Sequence, residues 1–151
     1  MSQENELLLR HAYERLNASD SEGFLRFCAT DFEMHDLPSL PGAAVHVGHD
    51  GARAWWARMC EIFGELRFDP EEILDAGGGR FVVVCHAYGR GTLSGASIDG
   101  LTFNIWTVRD GKLSSCVTYD THAEALAAAG LEEHPARGPG VQATELREQP
   151  I

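Results

Sequence analysis

Phe103-Asn104-Ile105-Trp106-Thr107-Val108-Arg109-Asp110-Gly111-Lys112-Leu113 is the stretch that decides the fold. Asp110-Gly111 is a strong two-residue hairpin signal, since both central positions of such a turn need positive φ. The spacing predicts antiparallel strands over 97–109 and 112–120. Asn104 falls in the middle of the first. Asn is depleted in strands and a buried amide must be hydrogen-bonded, so its position needs a reason. A wet ligand cavity supplies one.

Working outward, Phe81-Val82-Val83-Val84-Cys85 makes 80–90 strongly β-forming, with a turn at Gly77-Gly78-Gly79 before it. Residues 65–75 read as another extended segment. Pro70 interrupts it and places it at an edge or a bend, because Pro cannot donate to a ladder. Further upstream, Leu9, Ala12, Tyr13 and Leu16 recur at helical spacing and predict a helix over 4–18. Ser19 and Glu22 form a candidate capping box for a second helix carrying Phe24, Phe27 and Cys28. A short strand at 32–36 and a loop broken by Pro38 and Pro41-Gly42 follow. A third helix starts near Asp50, with Ala52, Trp55, Trp56, Met59 and Phe63 as its apolar stripe. Downstream, Thr121 and Glu124 cap a short helix over 123–129, and Gly130-Leu131 suits a Schellman stop. Helices first and then an antiparallel sheet make an α+β arrangement. A sheet curled around helices leaves a concave face of the kind that binds small ligands. Residues 1–131 read as one domain, and 132–151, rich in Pro, Gly and charge, as a mobile tail.

Composition excludes several classes. The chain has 151 residues, 44% of them hydrophobic, which suits a single globular domain. A formal net charge of −11 argues against nucleic acid and anionic membranes as partners. No apolar run reaches the roughly 18 residues of a membrane span. The acidic start, Met1 to Glu6, lacks the basic region of a signal peptide, and a cytoplasmic location is expected. Cys28, Cys60, Cys85 and Cys116 form no CxxC pair and are expected as buried, reduced thiols. His35, His46 and His49 cluster around the first loop without a ligand signature. They are expected as exposed loop histidines, with no metal or other cofactor.

The element order, the segment Trp106 to Leu113 and the ending Glu124-Ala125-Leu126-Ala127-Ala128-Ala129-Gly130-Leu131 resemble the NTF2-like α+β cone superfamily over residues 5–131. Within it, SnoaL-like polyketide cyclases and ketosteroid isomerase are most similar. The resemblance implies a curved antiparallel sheet wrapped around N-terminal helices, an internal cavity and a homodimer. Tyr13, four residues before Asn17-Ala18, matches the isomerase's oxyanion-hole tyrosine. Asp36, two residues before Pro38, lies close to its general-base aspartate. Asn104, two residues before Trp106, matches its second oxyanion donor, which is a protonated aspartic acid there. An amide donates without needing a raised pKa, so the role survives that change. SnoaL-like cyclases carry a catalytic aspartate on a late strand, for which Asp120 is the local candidate. Adjacent Trp55 and Trp56 diverge by about 100° on a helix, and the isomerase likeness selects Trp55 for the cavity.

Strand alternation groups Val82, Val84, His86 and Tyr88 on one face, Thr102, Asn104 and Trp106 on another, and Cys116, Thr118 and Asp120 on a third. If Asn104 points inward, so does Trp106, and the resemblance adds His86 and Asp120. The expected catalytic set is therefore Asp36, Tyr13, Asn104, Asp120 and His86, with Trp55, Trp106, Val84, Tyr88 and Thr118 against the substrate. Structural readings compete: Asp36 as a turn residue, Tyr13 as a core tyrosine, His86 as a core histidine. The implied chemistry is cofactor-independent isomerisation or aldol-type cyclisation of an apolar carbonyl compound, such as a polyketide or steroid-like molecule. Two alternatives stay open. One is a limonene-type epoxide hydrolase using Asp36 and Asp120, for which no cavity-facing Arg stands out. The other is a non-catalytic ligand-binding or dimerisation module.

Overall fold

Asp110 and Gly111 both adopt positive φ, 52° and 74°, and set Arg109 opposite Lys112 in the hairpin that the sequence signals. The computed structural model describes residues 2–40, 42–91, 97–138 and 140. In chain order the elements are α1 (Ser2–Asn17), α2 (Ser21–Leu25), β1 (Cys28–His35), β2 (Val45–Val47), α3 (Gly48–Ile62), β3 (Phe63–Gly77), β4 (Arg80–Gly91), β5 (Ser97–Arg109), β6 (Lys112–Tyr119) and α4 (His122–Ala128). The six strands form one curved, unclosed sheet in the order β2-β1-β6-β5-β4-β3. Among the described strands only β1 and β6 run parallel. β3 is an edge strand, and its register slips between Pro70 and Glu72, which agrees with the reading of Pro70.

The concave face holds the main core. Leu9, Ala12, Tyr13 and Leu16 from α1 and Ala52 and Trp56 from α3 pack against Phe32, Phe81, Val83, Trp106 and Cys116. Asn17 pins the end of α1 to β3: its Nδ2 donates to the Phe68 carbonyl at 2.7 Å, and the Phe68 N–H donates to its Oδ1 at 2.8 Å. Two backbone groups near the slipped register are thereby satisfied. The convex face has its own core, where α4 covers Val82, Val84, Phe103 and Ile105. Thr121 accepts the Glu124 N–H at 3.1 Å and donates to the Glu124 carboxylate at 2.9 Å. Gly130 takes φ 77°, and the Leu131 N–H reaches back to the Leu126 carbonyl at 2.8 Å, so both predicted ends of α4 form.

Several expectations are corrected. α2 is capped by Asp20, which accepts the Gly23 N–H at 2.9 Å, and it ends before Phe27 and Cys28. Cys28 instead opens β1, because the strand gains a parallel partner there, opposite Leu113. α3 begins at Gly48 with no side-chain cap, directly out of β2, and Asp50 sits in its first turn bonded to Arg53 at 2.7 Å. Cys28, Cys85 and Cys116 are buried free thiols, whereas Cys60 is exposed on α3. Apart from these corrections, Arg137 in the segment after α4 contacts His122 and Glu71. The Arg137 backbone N–H donates to His122 Nδ1 at 2.6 Å, and the Arg137 guanidinium meets Glu71 at 3.0 Å. Residues 139 and 141–151, also in that segment, lie outside the described residues, as do Met1, Pro41 and 92–96.

Candidate active site

Between α1, α3 and the concave sheet lies a cavity of about 110 Å³. Leu16, Trp55, Met59, Phe68, Ile98 and Trp106 form its apolar wall. Polar groups enter from two sides: Tyr13, Thr102, Asn104 and Thr118 from the floor, and Asp36 from the loop after β1. Trp55 therefore faces the cavity, while Trp56 turns into the core against Phe68.

Tyr13 is buried and accepts the indole N–H of Trp106 at 2.9 Å. The two rings meet edge to face at 5.6 Å. Burial pushes its hydroxyl well above the ordinary phenol value, and Cys85 and Cys116 add to the effect. Tyr13 therefore stays neutral and keeps an O–H to donate, beside the Cys85 thiol. Sulfur is a weak acceptor that a ligand oxygen can replace. Burial also raises the Cys85 thiol to about 12 and the Cys116 thiol well above its usual value. Neither supplies a thiolate nucleophile.

Asn104 is oriented by both strand neighbours. It donates from Nδ2 to the Thr118 hydroxyl at 2.9 Å, and its Oδ1 shares the Thr102 hydroxyl hydrogen with the Cys85 carbonyl, each at 3.4 Å. One amide hydrogen beyond the Thr118 bond remains for a ligand.

Asp36 closes the loop and also lines the cavity. Its backbone N–H donates to the Ala44 carbonyl at 3.0 Å. Its Oδ2 accepts the Ala44 N–H and His46 Nε2, each at 3.1 Å. Oδ1 accepts from no described residue. The carboxylate is only 11% exposed.

The remaining expected residues divide. Thr118 and Trp106 line the cavity. Asp120 lies just past β6, outside the lining, where it accepts the Ser39 hydroxyl at 2.7 Å. Val84, His86 and Tyr88 stand on the other face of the sheet. Val83 is paired with Asn104 and Cys85 with Thr102, so the odd-numbered side chains of β4 point inward. Val84 packs beneath α4. His86 binds Asp99 at 2.6 Å and stacks on Tyr88 at 4.0 Å. No His86–Asp120 pair forms. Residues 81–85 are buried on both faces, so polarity does not mark the inward one; cross-strand register does.

Sequence reasoning missed His46, which is not an exposed loop residue. Its one signal is that residues 36 and 46 flank a Pro- and Gly-containing loop, which a hairpin brings face to face. Among the described residues, no three His, Cys, Asp or Glu side chains gather as a metal-holding group, and no helix is long and apolar enough to cross a membrane.

A curved six-stranded sheet over N-terminal helices, with a polar-floored cavity between them, defines the NTF2-like class. The chain belongs to the SnoaL-like domain family, which it matches over residues 9–116. No curated protein matches it by sequence. Among solved structures it is similar to an NTF2-like protein from Burkholderia xenovorans LB400, with 27% identity and a TM-score of 0.65 over 84% of this chain and 95% of that one. It is similar to TerC, co-crystallised with polyporic acid, with 25% identity and a TM-score of 0.68 over 87% and 99%. It shares its fold with SalBIII, an epoxide hydrolase/cyclase-like enzyme in pyran ring formation in the polyether salinomycin, at 15% identity and a TM-score of 0.66 over 78% and 91%.

Proposed function

We propose that this protein is an enzyme that moves a proton next to the carbonyl of a small apolar compound, giving isomerisation or an aldol-type ring closure. One observation carries the reading: a mostly buried carboxylate with one oxygen bonded twice and the other without a partner among the described residues faces an apolar cavity that also holds Tyr13 and Asn104. Asp36 is the base, removing the C–H proton through Oδ1. Charge then develops on the carbonyl oxygen, to which Tyr13 and Asn104 donate; such preorganised donors each contribute about 10²–10³ in rate. The apolar wall keeps water away, which strengthens both interactions.

Cavity size bears on the substrate. Drug-sized ligands fill clefts of roughly 300–1,000 Å³, while a cavity of about 150 Å³ holds benzene. At about 110 Å³ the space suits one ring, and a polycyclic compound must extend beyond it. Among the described residues no Lys or Arg lines the cavity, and His35, which does, is bound to Glu33 at 2.9 Å, so an uncharged substrate fits beside Asp36 better than a free acid. The same lack of a described Lys or Arg weighs against a limonene-type epoxide hydrolase, as does the place of Asp120 outside the lining. The test is solvent deuterium exchange into a one-ring β,γ-unsaturated ketone. Exchange above the buffer rate supports the enzyme; tight binding without exchange marks a ligand carrier instead.

A further inference from the structure

We infer that His46 is a positioning residue for Asp36 in this proton transfer, an inference that rests on the reading of Asp36 as the base. β2 pairs with β1 so that His46 stands opposite Met34, two residues before Asp36. From there its Nε2 reaches Asp36 Oδ2 at 3.1 Å, the same oxygen that takes the Ala44 N–H at 3.1 Å. A carboxylate oxygen that already accepts two hydrogen bonds is the poorer proton acceptor. The substrate proton therefore goes to Oδ1. As the C–H bond breaks, its electron pair forms the enol double bond, and the carbonyl pair moves onto oxygen. His46 keeps its own proton throughout.

The backbone that carries the imidazole is packed from behind. The first turn of α3 rests on the His46 backbone through Gly51, where a Cβ would come within 2.9 Å of the His46 carbonyl carbon and 3.4 Å of its Cα. With 18% of its side chain exposed, His46 is not a freely moving loop residue. The other charged or titratable groups nearby are engaged elsewhere. On β1, Glu33 binds His35 at 2.9 Å; in α3, Asp50 binds Arg53 at 2.7 Å and His49 binds the Cys28 carbonyl at 3.0 Å. Because an ionised carboxylate only accepts, the Asp36–His46 pair requires the proton on Nε2. Without His46, the carboxylate keeps only the Ala44 N–H and can turn about its last torsion. Misplacement of a reacting group by about 1 Å costs up to 10²-fold, and we expect about a tenfold loss here.

The experiment uses the full chain and a β,γ-unsaturated cyclohexenone in D₂O, with exchange followed by NMR for wild type, Asp36→Asn, His46→Ala and His46→Gln. The glutamine amide places an N–H about where Nε2 stands. Expected are a roughly tenfold loss of kcat with unchanged KM for His46→Ala, recovery for His46→Gln, and ¹⁵N side-chain spectra that put the wild-type His46 proton on Nε2. If His46→Ala fails to fold, His46→Leu, which keeps bulk without a donor, takes its place. Loss in Asp36→Asn with no loss in His46→Ala, or a proton on Nδ1 with Nε2 bare, overturns the inference alone. Wild-type activity in Asp36→Asn, or no exchange by wild type, overturns the reading of the base and the inference with it.

Discussion

The Trp106 indole N–H donates to the Tyr13 hydroxyl at 2.9 Å, joining α1 to the middle of β5 across 93 residues of chain. The bond uses an acceptor site on Tyr13 and leaves its O–H to donate. Tyr13→Phe therefore removes two things. Exchange activity should fall about 10²–10³-fold through the lost donor. Stability should fall about 1–3 kcal/mol, because a buried N–H on Trp106 is left unpaired. A second substitution, Trp106→Phe, removes the orphaned donor and should return part of the stability but none of the activity. Thermal melting and deuterium exchange on both variants separate the two effects; activity regained in the double variant refutes the donor role.

Asp36→Asn keeps acceptor oxygen for Ala44 and His46 and removes the proposed base. Turnover should drop by about 10² or more with melting little changed. Asp120→Asn, whose partner is the Ser39 hydroxyl at the rim, should stay within a few-fold of wild type. An inactive Asp120→Asn beside an active Asp36→Asn transfers the base to the rim.

Gly51→Ala tests packing behind the site. In a helix interior, Ala is favoured over Gly by about 1 kcal/mol, so propensity alone predicts a more stable protein. The added Cβ would stand 2.9 Å from the His46 carbonyl carbon, and backbone yields poorly. We expect a lower melting temperature and an exchange rate close to that of His46→Ala. A more stable variant with wild-type rate shows that α3 does not brace His46.

His122 gives the fold an acid limit. It is buried, stacks on Phe103 at 5.2 Å and accepts the Arg137 N–H at Nδ1. Burial holds its imidazole below the usual value, with His134 and Arg137 pushing the same way and Glu72 opposing. The folded state thus resists a proton that the unfolded chain accepts near about pH 6.5. Its stabilising contribution is complete above that pH and is lost as pH falls through the lower folded value. The melting temperature should decline below about pH 6.5, and His122→Phe should flatten that slope. An unchanged slope in the variant assigns the acid limit to other groups.

Much of the architecture was legible locally. The Asp110-Gly111 turn, the Thr121 cap, the Gly130-Leu131 stop and the edge position of Pro70 each follow from the conformations a few adjacent residues can adopt. The order of helices and strands, together with the motifs at 106–113 and 124–131, was enough for the NTF2-like, SnoaL-like resemblance that the comparisons show. Alternation within β5 and β6 grouped Thr102, Asn104 and Trp106, and likewise Cys116 and Thr118, because each strand's own period is two.

What local sequence left open was decided between elements. The inward face of β4 depends on its pairing with β5, and a run that is apolar on both faces carries no mark of it, so Val84, His86 and Tyr88 fell on the convex side. The partnership of His46 with Asp36 depends on the geometry of a loop that returns the chain beside β1, and no periodicity encodes that return. The sequence by itself determined which segments bend, cap and extend, since those are energies of neighbouring residues. Which carboxylate oxygen stays open, and which rings enclose it, only the tertiary structure decided, because hydrogen-bond partners and cavity walls come from residues far apart in the chain.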